Sequence, residues 1–173
     1  MKEIDVSTPN YPNTYVLVDD DDYIWLSKWK WTAKKDGNCV YASRKIRTAD
    51  NKRYMLLMHR DILGLKKGDR LGVDHINHNG LDNRKSNIRI CTSQQNCFNR
   101  RSHLNSASQY KGICLSRNGR WRARIFKEGR LLSLGSFISE IDAALAYNKN
   151  AQELFGEFAC LNNINTPEPE KIV

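Results

Sequence analysis

A chain of 173 residues with a formal charge of +9, 40% hydrophobic and 27% charged, can hold one ordinary domain or two small ones and is too apolar to read as disordered. No apolar run approaches the roughly 20 residues that span a bilayer, and the opening MKEIDVSTPN lacks the apolar core of a secretory signal. A membrane partner is excluded and the cytoplasm is the expected compartment. Five cysteines, at 39, 91, 97, 114 and 160, are odd in number and free of any C-x-x-C pair, which argues for reduced, mostly buried thiols over a disulfide framework.

In chain order, TYVLVD (Thr14 to Asp19) alternates like a strand, and the acidic run Asp19 to Asp22 precedes YIWLSKWKW. Acids there suit a short helix N-terminus, where they cap free N–H groups and complement the dipole. WTAKK and CVYASRKI flank Asp36-Gly37-Asn38, a hairpin signal. Trp25, Trp29, Trp31 and Tyr41 are the expected small core. RYMLLMHRDILGL then reads as a buried strand running into a short helix that ends near Gly64.

VDHINHNGLDNRKSN, Val73 to Asn87, gathers an Asp-His pair, a second His, a Gly and four Asn with almost nothing apolar. Turn chemistry accounts for much of this, since Asn, Asp and Gly tolerate left-handed backbone and bond their own main chain. On that basis Asp82 and Asn83 are read as hydrogen bonders internal to the loop, His78 as an exposed loop residue and His59 as structural. Asp74-His75 is different, because it sits at the end of a strand. Neighbours on a straight strand face opposite ways, so the two converge only where the strand bends or stops. IRICTSQQNCFNRR follows as a short strand and a helix capped by Thr92 or Ser93. So small a strand, loop, strand and helix unit needs support from the first block or from a metal.

The stretch HRDILG…GVDHINHNGLDNRKSNIRICTSQQNCFNR resembles the HNH nuclease motif, in the His-Asn-Asn form of phage and intron-encoded homing endonucleases. The resemblance implies His75 as general base, Asp74 as a metal ligand, Asn87 as the residue that holds the His75 ring, and Asn96 on the helix as the second metal ligand. Many members of that family carry His at this last position. The chemistry explains the residue types: an imidazole with an ordinary pKa near 6.5 is a free base around neutral pH, and an Asn carbonyl accepting from one ring nitrogen fixes which nitrogen stays open. Asp and Asn oxygens are hard donors that suit Mg²⁺ or Mn²⁺ better than Zn²⁺.

Charge concentrates further on. From Asn99 to Arg130 nine Lys or Arg stand against a single acid, Glu128, the footprint of a surface that neutralises nucleic-acid phosphates. Within this region Trp121, Ala123 and Ile125 fall on one face of a strand while Arg120, Arg122 and Arg124 share the other. Glu128-Gly129 turns the chain into RLLSLGSF, and Ser139 caps a helix whose Ile141, Ala144, Leu145, Ala151, Leu154 and Phe155 form the expected apolar stripe, stopped by Gly156.

YKG, the W-x-A-x-I strand, LGSF, the AALAY helix and FGEFACLN together resemble an AP2-type DNA-binding domain. The resemblance implies a strand ribbon entering the major groove, with Lys111, Arg120, Arg122 and Arg124 as DNA-contacting candidates. Arg100 and Arg101 join them from the basic segment before it. Cys114, Ser116, Phe126 and Ser133 stand where that family often has Arg or Trp, so its base preferences do not carry over.

The fold class expected is therefore α+β. A β-rich region (1–57) leads into a ββα-metal HNH nuclease core (58–100), then a basic linker (101–109), an AP2-like three-stranded antiparallel sheet packed on one helix (110–163), and a polar tail (164–173). The expected function is a homing-type, Mg- or Mn-dependent endonuclease acting on double-stranded DNA as a monomer and nicking one strand, inside a bacterial host cell if it is phage-encoded. A non-catalytic DNA-binding regulator on the same scaffold is the alternative, disfavoured because a scaffold has no need of Asp74, His75, Asn87 and Asn96 together. The missing Cys pairs weaken a zinc-stabilised module.

Overall fold

The structure is a computed structural model and describes residues 1–48, 51–100 and 107–164. The chain divides into two compact units, Met1–Asn96 and Cys97–Val173.

Unit 1 opens with an antiparallel pair, β1 (Lys2–Asp5) and β2 (Tyr15–Val18). Ile4, Val6, Val16 and Val18 turn inward by strand alternation and join Leu26, Trp31, Ala33, Ala42, Leu56 and Met58 in the core. Helix α1 (Asp20–Leu26) carries Asp20, Asp21 and Asp22 in its first turn, as its dipole favours. Asp19 does not cap it, however: its Oδ2 accepts instead from the Lys85 backbone N–H at 2.8 Å. A meander follows, β3 (Thr32–Asp36), β4 (Cys39–Arg47) and β5 (Arg53–Leu57), with Gly37 supplying the positive φ of the first hairpin.

The aromatic core is smaller than expected. Trp31 is buried and donates its indole N–H to the Leu26 carbonyl at 3.0 Å, whereas Trp29 is 52% exposed. Trp29 packs instead against the Arg44 guanidinium, which lies 4.3 Å from its ring centre. Helix α2 (Met58–Ile62) follows β5 directly, and its Arg60 donates to the carbonyls of Lys66 and Leu71, tying down the approach to β6 (Gly72–His75). β6 pairs antiparallel with β7 (Ile88–Cys91). Helix α3 (Ser93–Phe98) begins with a reciprocal cap: Gln95 N–H to Thr92 Oγ1 at 3.2 Å, and Thr92 N–H to Gln95 Oε1 at 2.8 Å.

Unit 2 holds an antiparallel sheet in the order β10-β9-β8, built from β8 (Ile113–Leu115), β9 (Trp121–Lys127) and β10 (Arg130–Phe137). Glu128 (φ 50°) and Gly129 (φ 77°) make the tight β9–β10 turn, both in the left-handed region that such turns require. Helix α4 (Glu140–Phe155) starts on Ser139, whose Oγ accepts from Ile141 and Asp142 N–H. The stripe it buries differs from the expected one: Ala143, Ala144, Tyr147, Ala151 and Phe155 face the sheet, and Leu145 is exposed. Two residues on from Ala143 is roughly 200° around a helix, so the spacing of four that defines the stripe excludes Leu145. Gly112 admits the Tyr147 of this stripe, since a Cβ there would fall on its ring.

Phe98 stacks on Phe155 with ring centres 3.8 Å apart. Ser108, expected in the linker, is instead buried, with its hydroxyl 2.5 Å from Glu140 Oε1. The rest of the linker reading and nearly all of the tail reading (101–106 and 165–173) lie outside the described residues. No helix among the described residues is long and apolar enough to cross a membrane.

Candidate active site

His75 ends β6 and is buried, as strand termination beside a polar loop allows. Its Nε2 lies 2.8 Å from Asn83 Oδ1. An amide oxygen can only accept, so the ring proton belongs on Nε2 and the lone pair on Nδ1. Burial pushes the His75 pKa below its ordinary value, while the Asn83 bond and the charges of Asp74 and Asp82 work the other way. The ring meets His59 edge-on at 5.0 Å between centres and Tyr41 at 5.8 Å.

His59 is buried too, and desolvation, aided by His75 and Arg60, pushes its pKa down to about 3. It is a neutral wall beside His75. Gly80 lets the loop press against β4 on the same side, because a Cβ there would collide with the Val40 carbonyl and the Tyr41 ring.

Asn87 does not take the place expected for it. Its Oδ1 accepts from Asn77 N–H at 3.0 Å, and its Nδ2 donates to Asn77 Oδ1 at 3.0 Å and to the Asp82 carbonyl at 2.7 Å. Asn87 closes the loop; Asn83, read from sequence as a loop-internal hydrogen bonder, is the residue on the His75 ring. Both follow turn-forming residues in the same polar run, and pattern alone could not tell them apart. Asp82 is nonetheless loop-internal, held by Arg84 through two bonds of 2.7 and 2.6 Å and by Asn77 at 2.9 Å.

Asp74 is buried and stands opposite Arg89 in the β6–β7 register. Its Oδ2 receives Arg89 Nε at 2.9 Å and Nη2 at 2.6 Å. Asn96 lies on α3, exposed, and its side chain makes no hydrogen bond among the described residues. Among the described residues no three His, Cys, Asp or Glu side chains gather as a metal cluster. The two expected donors fit a hard divalent cation in kind, one carboxylate and one amide oxygen, with water and phosphate needed to complete the shell.

The loop is held from outside by β2 and α1. Leu17 N–H donates to the Leu81 carbonyl and Asn83 N–H to the Leu17 carbonyl, each at 2.8 Å. Lys85 reaches Asp22 at 2.9 Å. The acidic run, read from sequence as capping and solvation, thus anchors the far side of the loop.

In unit 2, Arg122 and Arg124 occupy the outer face of β9, with Ala123 and Ile125 buried beneath. Arg120 is exposed and donates to the Ser136 carbonyl at 3.0 Å. Arg122 lines an open cleft with Ser116, Arg117, Asn118 and Ser136. Lys111 is a correction: its Nζ donates to the Phe98 carbonyl at 2.6 Å, and burial pushes its pKa down. It satisfies the end of α3, where a cation complements the dipole. Arg100 is exposed, and Arg101 lies outside the described residues.

The chain is 35% identical over 157 residues to a protein of Acanthamoeba polyphaga mimivirus described as an uncharacterized HNH endonuclease, a match covering 88% of this chain and 76% of the relative. No protein-family profile matches the chain, and no solved structure does.

Proposed function

Because the chain belongs to the HNH endonuclease family, we propose that it is a metal-dependent DNA endonuclease in which unit 1 hydrolyses a phosphodiester at a site that unit 2 locates on the duplex. The observation that carries the catalytic part is the His75–Asn83 pair, a buried imidazole whose Nε2 meets an amide oxygen that can only accept. Nδ1 takes the proton from the attacking water, and Asn83 keeps Nε2 protonated so that the ring cannot present the wrong nitrogen. Asp74 and Asn96 would hold Mg²⁺ or Mn²⁺. When bound, the cation supplies charge relief on the phosphoryl and departing 3′ oxygens. Arg89 offsets the Asp74 charge, which supports a cation held firmly only when DNA phosphate adds its own oxygens. One such histidine per monomer supports nicking, with 5′-phosphate and 3′-hydroxyl products.

The AP2-like reading of unit 2 is supported by its exposed arginine-bearing sheet face with a core of its own behind it. A second reading, a non-catalytic regulator, draws support from the Arg89 hold on Asp74. Supercoiled plasmid incubated with the chain in Mg²⁺, Mn²⁺ or EDTA, beside His75→Ala, separates the two. Metal-dependent nicking that falls at least about a hundredfold in the variant supports the nuclease, and binding without cutting in either metal supports the regulator.

A further inference from the structure

The outer face of the unit 2 sheet is cationic along most of its length but not at the end by the β9–β10 turn. Directly opposed residues share a face, and the register places Ser136 opposite Arg122, Ser133 opposite Arg124 and Leu131 opposite Phe126. Two arginines with serine neighbours are thus followed by an apolar pair. Phe126 is 62% and Leu131 56% exposed. Neither belongs to the core cluster, which lies on the other face around Ala123 and Ile125.

An occupant must offer apolar contact to this pair and negative charge to the arginines beside it. A second copy of this chain is a poor candidate, since both would carry +9. The major groove meets both demands: phosphates line its rims, guanine offers O6 and N7 to arginine, and the C5 methyl of thymine is the apolar group among its base edges. A two-stranded ribbon fits its width. We propose that Phe126 and Leu131 form a thymine-methyl contact, so that this face reads a site combining guanine with thymine. The proposal rests on the reading of unit 2 as the duplex-binding unit.

The test uses the full chain in EDTA, which prevents cutting. Duplexes are selected from a randomised pool, and the winners are resynthesised with deoxyuridine replacing each thymine in turn, which deletes only the methyl. At one or more positions the wild type should lose about three- to fivefold in affinity, the scale of one buried methyl. Phe126→Ala, and separately Leu131→Ala, should bind the thymine and uracil forms alike while keeping the wild-type circular dichroism. Tolerance of uracil at every position by the wild type, or a selected site without thymine, overturns the proposal while leaving DNA binding intact. Binding without sequence enrichment overturns it together with site-directed recognition, and absence of any duplex binding overturns the reading of unit 2 itself. An unchanged uracil response together with conversion of a self-associated chain to monomer by Phe126→Ala overturns it in favour of a contact between copies.

Discussion

The β6–β7 loop of unit 1 and the outer sheet face of unit 2 are both rich in polar side chains, yet they are built in opposite ways. In the loop Asp82, Asn83 and Asn87 are buried, and each is fixed by named partners, so its shape is a hydrogen-bond network. On the sheet Arg122 and Phe126 project from a backbone ladder that a separate apolar core supports. A buried network is costly when any member is lost, because the abandoned partner stays desolvated. An exposed face can change its side chains with little effect on the fold. On the reading proposed above, chemistry would reside where substitution is expensive, and recognition where it is cheap.

The largest contrast should come from Asn83→Ala. Loss of tautomer control should slow single-turnover cleavage by about a hundredfold while the duplex dissociation constant stays at its wild-type value; a parallel loss of binding would argue against a role confined to the ring. Gly80→Ala should be next. Its Cβ overpacks the Val40 and Tyr41 contact and should destabilise unit 1 by about 1–3 kcal/mol, seen as an earlier urea transition for unit 1 with that of unit 2 unmoved.

A smaller effect is a slope in pH. His59 is held neutral with a pKa of about 3 against an ordinary 6.5. Between these values the unfolded chain takes up a proton that the folded chain refuses, so this contribution is intact above the ordinary value and erodes as pH falls toward 3. Denaturation midpoints of His59→Phe should therefore fall less steeply than those of the wild type across that window. Arg122→Ala should show the least change in stability, within about 0.5 kcal/mol. Its DNA affinity should drop, with a shallower salt dependence.

How much of this was readable beforehand depended on distance along the chain. Local devices came through: the Gly37 hairpin, the Glu128-Gly129 turn, the Ser139 cap and the in-and-out alternation of β9 are each determined by residues within a few positions. Partners at long range did not. Lys85 and Asp22 are 63 residues apart and Asp19 bonds the Lys85 backbone across 66, so nothing local to the acidic run distinguishes it from a plain helix start. Lys111 is one cation among many in a basic stretch, and only the fold brings its ammonium to the Phe98 carbonyl. Near His75 the difficulty was degeneracy: Asn83 and Asn87 are the same residue type four positions apart, and only the path of the loop decides which one meets the ring.

The two backbone bonds that join Leu17 to Leu81 and Asn83 carry a consequence in time. They hold the loop that carries Asn83 from a strand more than sixty positions earlier, and contacts of such separation require the closure of a long loop. On the reading proposed above, a chain clipped after its first strands would keep every residue of the site and lose the two backbone bonds that hold its loop. The cleavage proposed for this loop would then wait until the beginning and the middle of the chain have met.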